Sequence, residues 1–321
     1  MRRILVASFA AAALTFSAPS AAIAQGCTTG DANAGNACAV GRDYLLYMAP
    51  QLGTSLVGGS HTLGIGTNLG GFPHFAIALR ANAIMGSRPV IDDLAAGPVG
   101  PAQDYETEDQ IVGLPTVDFA LGLTKGFNLG ITRIGGIDLI GGATYVPEIS
   151  EGDFSVAAPG GSLAIGLGAR VGLLQQSALL PGIAVSYMRR NMPTLDLQAY
   201  TDGGDNLAIN NLSVKTSSWR ISAQKNLFLL QLGAGYGRDK YDFGADVTAS
   251  VDGGSQTGSF SANQAMERTT MYGTVALNLF LIKIVGEVGQ VSGGSAPTYN
   301  NYSTPADASR TYGTVGIRIN F

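Results

Sequence analysis

From about residue 73 to its last residue the chain repeats one pattern, an apolar side chain at every second position. In "GGSLAIGLGARVGLL", Leu163, Ile165, Leu167, Ala169, Val171 and Leu173 share one face, while Ser162, Ala164, Gly166, Gly168, Arg170 and Gly172 share the other. Successive side chains of a β-strand point to opposite faces, so this period fits strands and not amphipathic helices. "TVDFALGLTK" divides in the same way, with Val117, Phe119, Leu121 and Leu123 against Asp118, Ala120, Gly122 and Thr124. "GIDLIGGATY", "FPHFAIALRAN", "PGIAVSYMRR", "SSWRISAQ", "NLFLLQLGAGYG", "YGTVALNLF" and "LIKIVGEVG" follow suit. Counting back from the carboxyl terminus gives roughly ten strands, the first near Pro73, and a further hairpin from Ser55 to Leu69 would make about twelve. One short helix is expected, in "RDYLLYMAPQLG".

What the two faces meet decides between architectures. A secreted β-sandwich hides its apolar face and offers a charged one to water. Here charged residues are only 13% of the chain while apolar residues are 45%, and the second face is largely Gly, Ala, Ser and Thr. That face suits the lining of a narrow barrel, and the apolar face suits hydrocarbon. Connections also fall into two classes: short turns such as "QKN" and the Leu279 to Leu281 region, and long polar loops such as "TDGGDN" and "SGGSAPTYNNYSTPADAS". Tight periplasmic turns and long external loops are the habit of outer-membrane barrels. The expected fold class is all-β, a closed antiparallel transmembrane β-barrel of about 10–12 strands, with a short N-terminal segment that is partly helical.

The first residues supply the route to that membrane. Arg2 and Arg3 precede an apolar run that ends in Ala22-Ile23-Ala24, the small-x-small pattern of a cleaved secretory signal. A retained helical anchor would need a longer apolar core, and a lipoprotein signal would need small residues where Gln25 precedes Cys27. The expected division is residues 1–24 as signal, 25–60 as a periplasmic or luminal segment, and 61–321 as the barrel. Loss of the signal takes Lys+Arg from 19 to 17 against 23 Asp+Glu, which is not the balance of a nucleic-acid binder. Cys27 and Cys38 are the two cysteines. In an oxidising compartment they close a small loop worth about 2–3 kcal/mol on the chain-entropy model, or they stay as free thiols.

The closing residues carry a resemblance. Gly316, Ile319 and Phe321 in "GIRINF" resemble the carboxyl-terminal signature of Gram-negative outer-membrane β-barrel proteins. That resemblance implies residence in the outer membrane, lipid as a partner, and strand pairing with the barrel-assembly machinery as the use of this end. "LPTVDFALGLTKGF", "GGIDLIGGATYVP" and "LLQQSALLPGIAVSY" resemble an uncharacterised barrel family, which implies a fold and no activity. Architecture alone resembles the long-chain fatty-acid channel family; its Asn-Pro-Ala hatch motif is missing here.

Chemistry is sparse. The glycines of "GLGARVG" approach a dinucleotide-binding turn, but no helix-period segment follows them and they share one strand face. No G-x-S-x-G elbow occurs, and His61 and His74 are the two histidines. The expectation is therefore no enzyme, no cofactor and no metal, with His74 a candidate for the barrel interior near Asp118. Alternation points Arg80, Arg170, Arg190, Arg220, Lys283 and Arg318 inward, together with Asp118, Asp138 and Glu287. Buried charges must pair or meet water. They form either a salt-bridge network filling the barrel or a wet lumen whose excess of bases favours anions. Arg318 in particular asks for an acidic partner. Tyr145, Tyr187, Trp219, Tyr236, Tyr272, Phe280 and Phe321 lie near strand ends, where interfacial girdles form. The function expected is passive permeation or binding of a small solute, through a narrow or gated lumen. The alternative is a non-conducting structural or surface-interaction barrel.

Overall fold

Each alternating segment pairs with the next as an antiparallel hairpin, and the last pairs with the first. The computed structural model describes residues 29–92, 94–152, 154–200 and 204–321. Among these, ten strands form the ring: β1 (Phe75–Pro89), β2 (Thr107–Thr124), β3 (Gly136–Tyr145), β4 (Leu163–Leu174), β5 (Gly182–Asn191), β6 (Asn206–Leu227), β7 (Leu230–Val251), β8 (Gln256–Leu279), β9 (Ile282–Ser292) and β10 (Arg310–Asn320). At the seam Thr314 lies opposite Asn82 and Arg318 opposite Ala78. Phe75 and Phe321 exchange backbone hydrogen bonds of 3.0 and 2.9 Å, and their rings stack 4.7 Å apart. A closed ring leaves no strand edge, the condition for sheet within lipid.

The two ends differ. Two-residue turns, Phe228-Leu229 and Phe280-Leu281, join β6 to β7 and β8 to β9. Long loops join β1 to β2, β3 to β4, β5 to β6 and β9 to β10 at the other end, which is the extracellular one by the loop-length rule. There β6, β7 and β8 run for 22, 22 and 24 residues, about twice the 9–11 needed to cross a bilayer. Short strands Leu195–Tyr200, Phe154–Ala157 and Ile149–Glu151 extend the sheet from the upper part of β6.

The interior is occupied by the chain's own N-terminal segment. Thr29–Gly30 pairs with Gly258 and Ser259 of β8 at the extracellular end. Helix α1 (Gly35–Val57) then descends through the lumen, and residues 58–71 continue as coil to the periplasmic rim. Every residue from 53 to 68 is buried. The helix is buried nearly all round, and so it shows little amphipathic period. It contains the expected Arg42 to Gly53 stretch and extends beyond it on both sides. Small residues let it approach the wall: a Cβ on Gly53 would lie 2.5 Å from the Tyr241 ring. Val40, Leu45, Leu46, Leu56 and Val57 pack there against Val214, Phe243 and Val247 of the wall. The helix ends at Gly58, whose φ of +62° favours glycine.

Several sequence expectations change here. Ser55 to Leu69 is not a hairpin, so the ring has ten strands and begins at Phe75 rather than at residue 61. The apparent alternation in "HTLGIGTNLG" is broken by Gly64 and Gly70, whose φ values of +63° and +97° lie outside the strand region. Tyr272 faces inward and is buried, whereas Tyr145, Tyr187, Trp219 and Tyr236 face outward. His74 is exposed at the periplasmic rim, with Nδ1 2.8 Å from Gly71 O, and not beside Asp118. The signal peptide and Cys27 lie outside the described residues; Cys38 is buried in the first turns of α1.

Candidate functional site

Coil that crosses a lumen without a ladder leaves its amides and carbonyls in need of partners. The wall supplies them through the charged residues that alternation points inward. Arg190 Nη1 donates to Val57 O (3.4 Å), and Arg220 donates to Gly58 O through Nη2 (3.3 Å) and to Gly59 O through Nε (2.8 Å). Arg80 Nη1 donates to Ser60 O (2.9 Å), Arg318 Nη1 to Leu63 O, and Arg170 Nη1 to Ile65 O (3.0 Å). Acids take the amides: Glu287 accepts from Ser60 N (3.1 Å), Asp118 from Leu63 N (3.2 Å) and Asp138 from Leu69 N (3.1 Å).

The same groups are braced on the wall itself. Arg80 Nε lies 3.1 Å from Asp118 Oδ2, Arg170 Nε 3.0 Å from Asp138 Oδ2, and Arg220 Nη2 2.7 Å from Asp239 Oδ1. Arg170 and Asp138 are directly opposed across β4 and β3. A guanidinium presents several donors in a fixed fork, so one side chain holds both a carboxylate on the wall and a carbonyl on the coil. All five arginines and all three aspartates of this set are buried.

Three of the expected site residues sit differently from the rest. Lys283 is half-buried and lies opposite Arg318 across β9 and β10. Like charges so placed repel, and the oxygen of Gln231 separates them, 3.0 Å from Arg318 Nη2 and 3.4 Å from Lys283 Nζ. Arg318 therefore has an amide and a backbone carbonyl as partners instead of an acid. Arg190 has no carboxylate within ion-pair distance among the described residues.

Sequence reasoning passed over Asp239 and His61 in this network, and Arg268 above it, whose guanidinium donates to Gly293 O, Asp307 O and Ala308 O of the last long loop. Asp239 and Arg268 are inward by the same alternation, between outward Arg238 and Lys240 and between Glu267 and Thr269. His61 lies between two wall serines, Nδ1 2.9 Å from Ser186 Oγ and Nε2 2.7 Å from Ser218 Oγ. The signal that could have revealed the coil is the smallness of the lining. A Cβ on Gly172 or Gly136 would strike Asn68, and one on Gly182 would strike Thr67. A cavity of about 10 Å³ beside Ser60, Gly64, Ser222 and Tyr272 holds about one water.

Near the extracellular end Asp43 of α1 ties the helix to the last long loop. Its carboxylate accepts from Tyr299 N (2.8 Å), Asn300 N (2.7 Å) and Asn300 Nδ2 (2.9 Å). Burial raises its pKa, and those amides pull it back down.

Outside, the ring carries a continuous belt of exposed Leu, Ile, Val and Phe, including Ile77, Leu79, Val117, Leu167, Ile284 and Ile317. A soluble monomer does not leave such a surface in water. This is a transmembrane β-barrel. No protein-family model matches the chain, and no curated protein matches it. Among solved structures it is similar to the outer membrane protease OmpT from Escherichia coli, at 8% identity and a TM-score of 0.36, covering 77% of this chain and 96% of that one. The β domain of the Bordetella autotransporter BrkA gives 10% identity and a TM-score of 0.36, covering 77% and 98%. The Pseudomonas putida toluene transporter TodX gives 10% and 0.30, covering 93% and 96%. Their roles differ from one another, and the fold assignment stands on the closed ring and its belt.

Proposed function

We propose that this outer-membrane barrel is closed at rest by its own N-terminal segment and does its work at the extracellular face. The observation that supports this most is the set of six consecutive or near-consecutive carbonyls, from Val57 to Ile65, each met by a buried arginine. Hydrogen bonds to charged groups contribute about 1.5–3 kcal/mol each, so undocking the coil costs on the order of 10 kcal/mol. Spontaneous opening at that cost is too rare for a standing pore. The long extracellular walls of β6 to β8 then provide the surface on which a partner binds.

A second reading, permeation of a small solute once the plug moves, draws on one feature. In the periplasmic half the plug is held by polar bonds, and water can replace polar bonds where it cannot replace apolar packing. Planar-bilayer recordings separate the two. The first reading expects silence from the intact refolded protein and large conductance after deletion of residues 31–71. Steady channel events from the intact chain at modest voltage would overturn it.

A further inference from the structure

The periplasmic end of the barrel is apolar at its tips. Phe228 is 92% exposed and Phe280 95% exposed, and both sit in the same tetrapeptide, Asn-Leu-Phe-Leu, at residues 226–229 and 278–281. Both phenylalanines have positive φ, +54° and +59°, in two-residue hairpin turns where a glycine would be unstrained. Phe127, Ile131 and Leu179 are also exposed, on the other two turns. Periplasmic turns bathed in water have no physical reason to be built this way.

Three further observations say what covers them. The outward face from Trp219 to Leu227 on β6, apolar except for Lys225, spans about 26 Å of strand, or about 20 Å of height at the usual tilt. On β7, Tyr236 to Leu230 gives about 15 Å, against a band about 25 Å tall in outer-membrane barrels. On these two strands the turn tips supply the missing height, whereas on β4 the outward face from Leu163 to Leu173 spans about 25 Å of height by itself. Next, the rims differ in chemistry. Tyr145, Tyr187, Trp219 and Tyr236 lie further toward the extracellular side on β3, β5, β6 and β7, while the periplasmic turns carry phenylalanines and no tyrosine or tryptophan. A ring with a polar handle belongs at an interface, and one without belongs in hydrocarbon. Finally, the turns satisfy their own carbonyls. Lys225 Nζ donates to Ser177 O, Ala178 O and Leu180 O at 2.8–3.3 Å. Asn278 donates to Leu229 O through N (2.7 Å) and to Phe228 O through Nδ2 (3.4 Å). Such capping matters where water is absent.

Charge completes the picture. The four turns, residues 125–135, 175–181, 228–229 and 280–281, contain no acidic side chain, and Lys125 and Arg133 are exposed there. We propose that the turns are immersed in the periplasmic leaflet of the outer membrane, with Phe228 and Phe280 in hydrocarbon and Lys125 and Arg133 on anionic phospholipid headgroups. A protein docking from the periplasm would cover one patch, whereas these residues encircle the barrel and continue its lipid-facing belt.

The test places a single tryptophan at each tip. F228W and F280W are made separately in a W219F background and reconstituted in nanodiscs of phosphatidylethanolamine and phosphatidylglycerol. Heat-modifiable migration verifies the barrel in each, independently of where the tips lie. Expected is short-wavelength emission that chain-brominated phospholipids quench and iodide does not. Long-wavelength emission quenched by iodide and indifferent to bromine would overturn the proposal, and is what a water-exposed docking site for a soluble partner gives. On the unaltered protein, spin-labelled phosphatidylglycerol is expected to be enriched at the barrel over phosphatidylcholine, and K125Q/R133Q to remove that enrichment. Equal association of the two lipids would overturn the headgroup assignment.

Discussion

Replacing Asp138 by alanine tests the clamp most directly, because this carboxylate serves wall and plug together. It pairs with Arg170 Nε at 3.0 Å and accepts the Leu69 amide at 3.1 Å, while Arg170 in turn holds Ile65 O. Both side chains are buried, so the substitution leaves an uncompensated guanidinium and an orphan amide. Breaking one half of a buried pair costs about 3–5 kcal/mol. Much of that falls on residues 65–69, since β3 and β4 keep their full backbone ladder. The undocked fraction of this coil should then rise by a factor of about 10²–10⁴. Amide hydrogen exchange measures it: faster exchange at Leu63 to Leu69, with β3 and β4 still protected. Asp138→Asn, which keeps an acceptor, should lie between. The pair R170M/D138L should lose less than D138A, because it removes both charges together. Unchanged exchange of the coil in D138A, or a double variant worse than the single one by more than about 1 kcal/mol, would refute the cross-bracing argument.

Other expectations follow from the same geometry. Arg190 is buried without a carboxylate partner among the described residues and donates to Val57 O at 3.4 Å, so R190M gives up one long bond while removing an uncompensated buried charge and should cost less than about 2 kcal/mol; a thermal shift on the detergent gel reads it, and a larger loss would be contrary. A methyl on Gly59 would strike the Glu287 carboxylate and the Tyr312 hydroxyl, so G59A should cost about 1–3 kcal/mol and loosen the plug. Phe228→Gly relieves the positive φ and should stabilise the barrel in detergent by about 1 kcal/mol while weakening its lipid contact. Removing the carboxylate in D43A frees Asn300 and Tyr299, and protease should then cut between residues 293 and 309 faster than in the unaltered protein.

Alternation made the wall legible almost residue by residue. Arg80, Arg170, Arg220 and Arg318 face inward between outward neighbours such as Leu79, Val171, Trp219 and Ile317, and Arg190 keeps the inward phase of Ser186 and Met188. The seam between Phe75 and Phe321 was implied by an amphipathic strand at the very end of the chain. The filled lumen was harder to read, because no local pattern announces that a coil will be paired with side chains from strands 20 to 255 residues away. Ile65 and Arg170 meet only once the ring has formed. The glycine-rich lining carried the information in another form, as missing volume, and a ten-stranded ring with so little side chain inside needs a filler. Arg318 misled for a related reason: alternation fixes the face of a charge, but the partner, here Leu63 O and Gln231, depends on what enters the lumen.

The course of the first described residues has a consequence for how the molecule is made. Thr29 and Gly30 lie at the extracellular end and Phe72 at the periplasmic rim, so the polypeptide traverses the full length of the tube before laying down its first stave. The cork therefore belongs to the part of the chain that precedes every stave. Each arginine of the wall finds its carbonyl on a segment synthesised before it, and a chain lacking that segment would have to close on water.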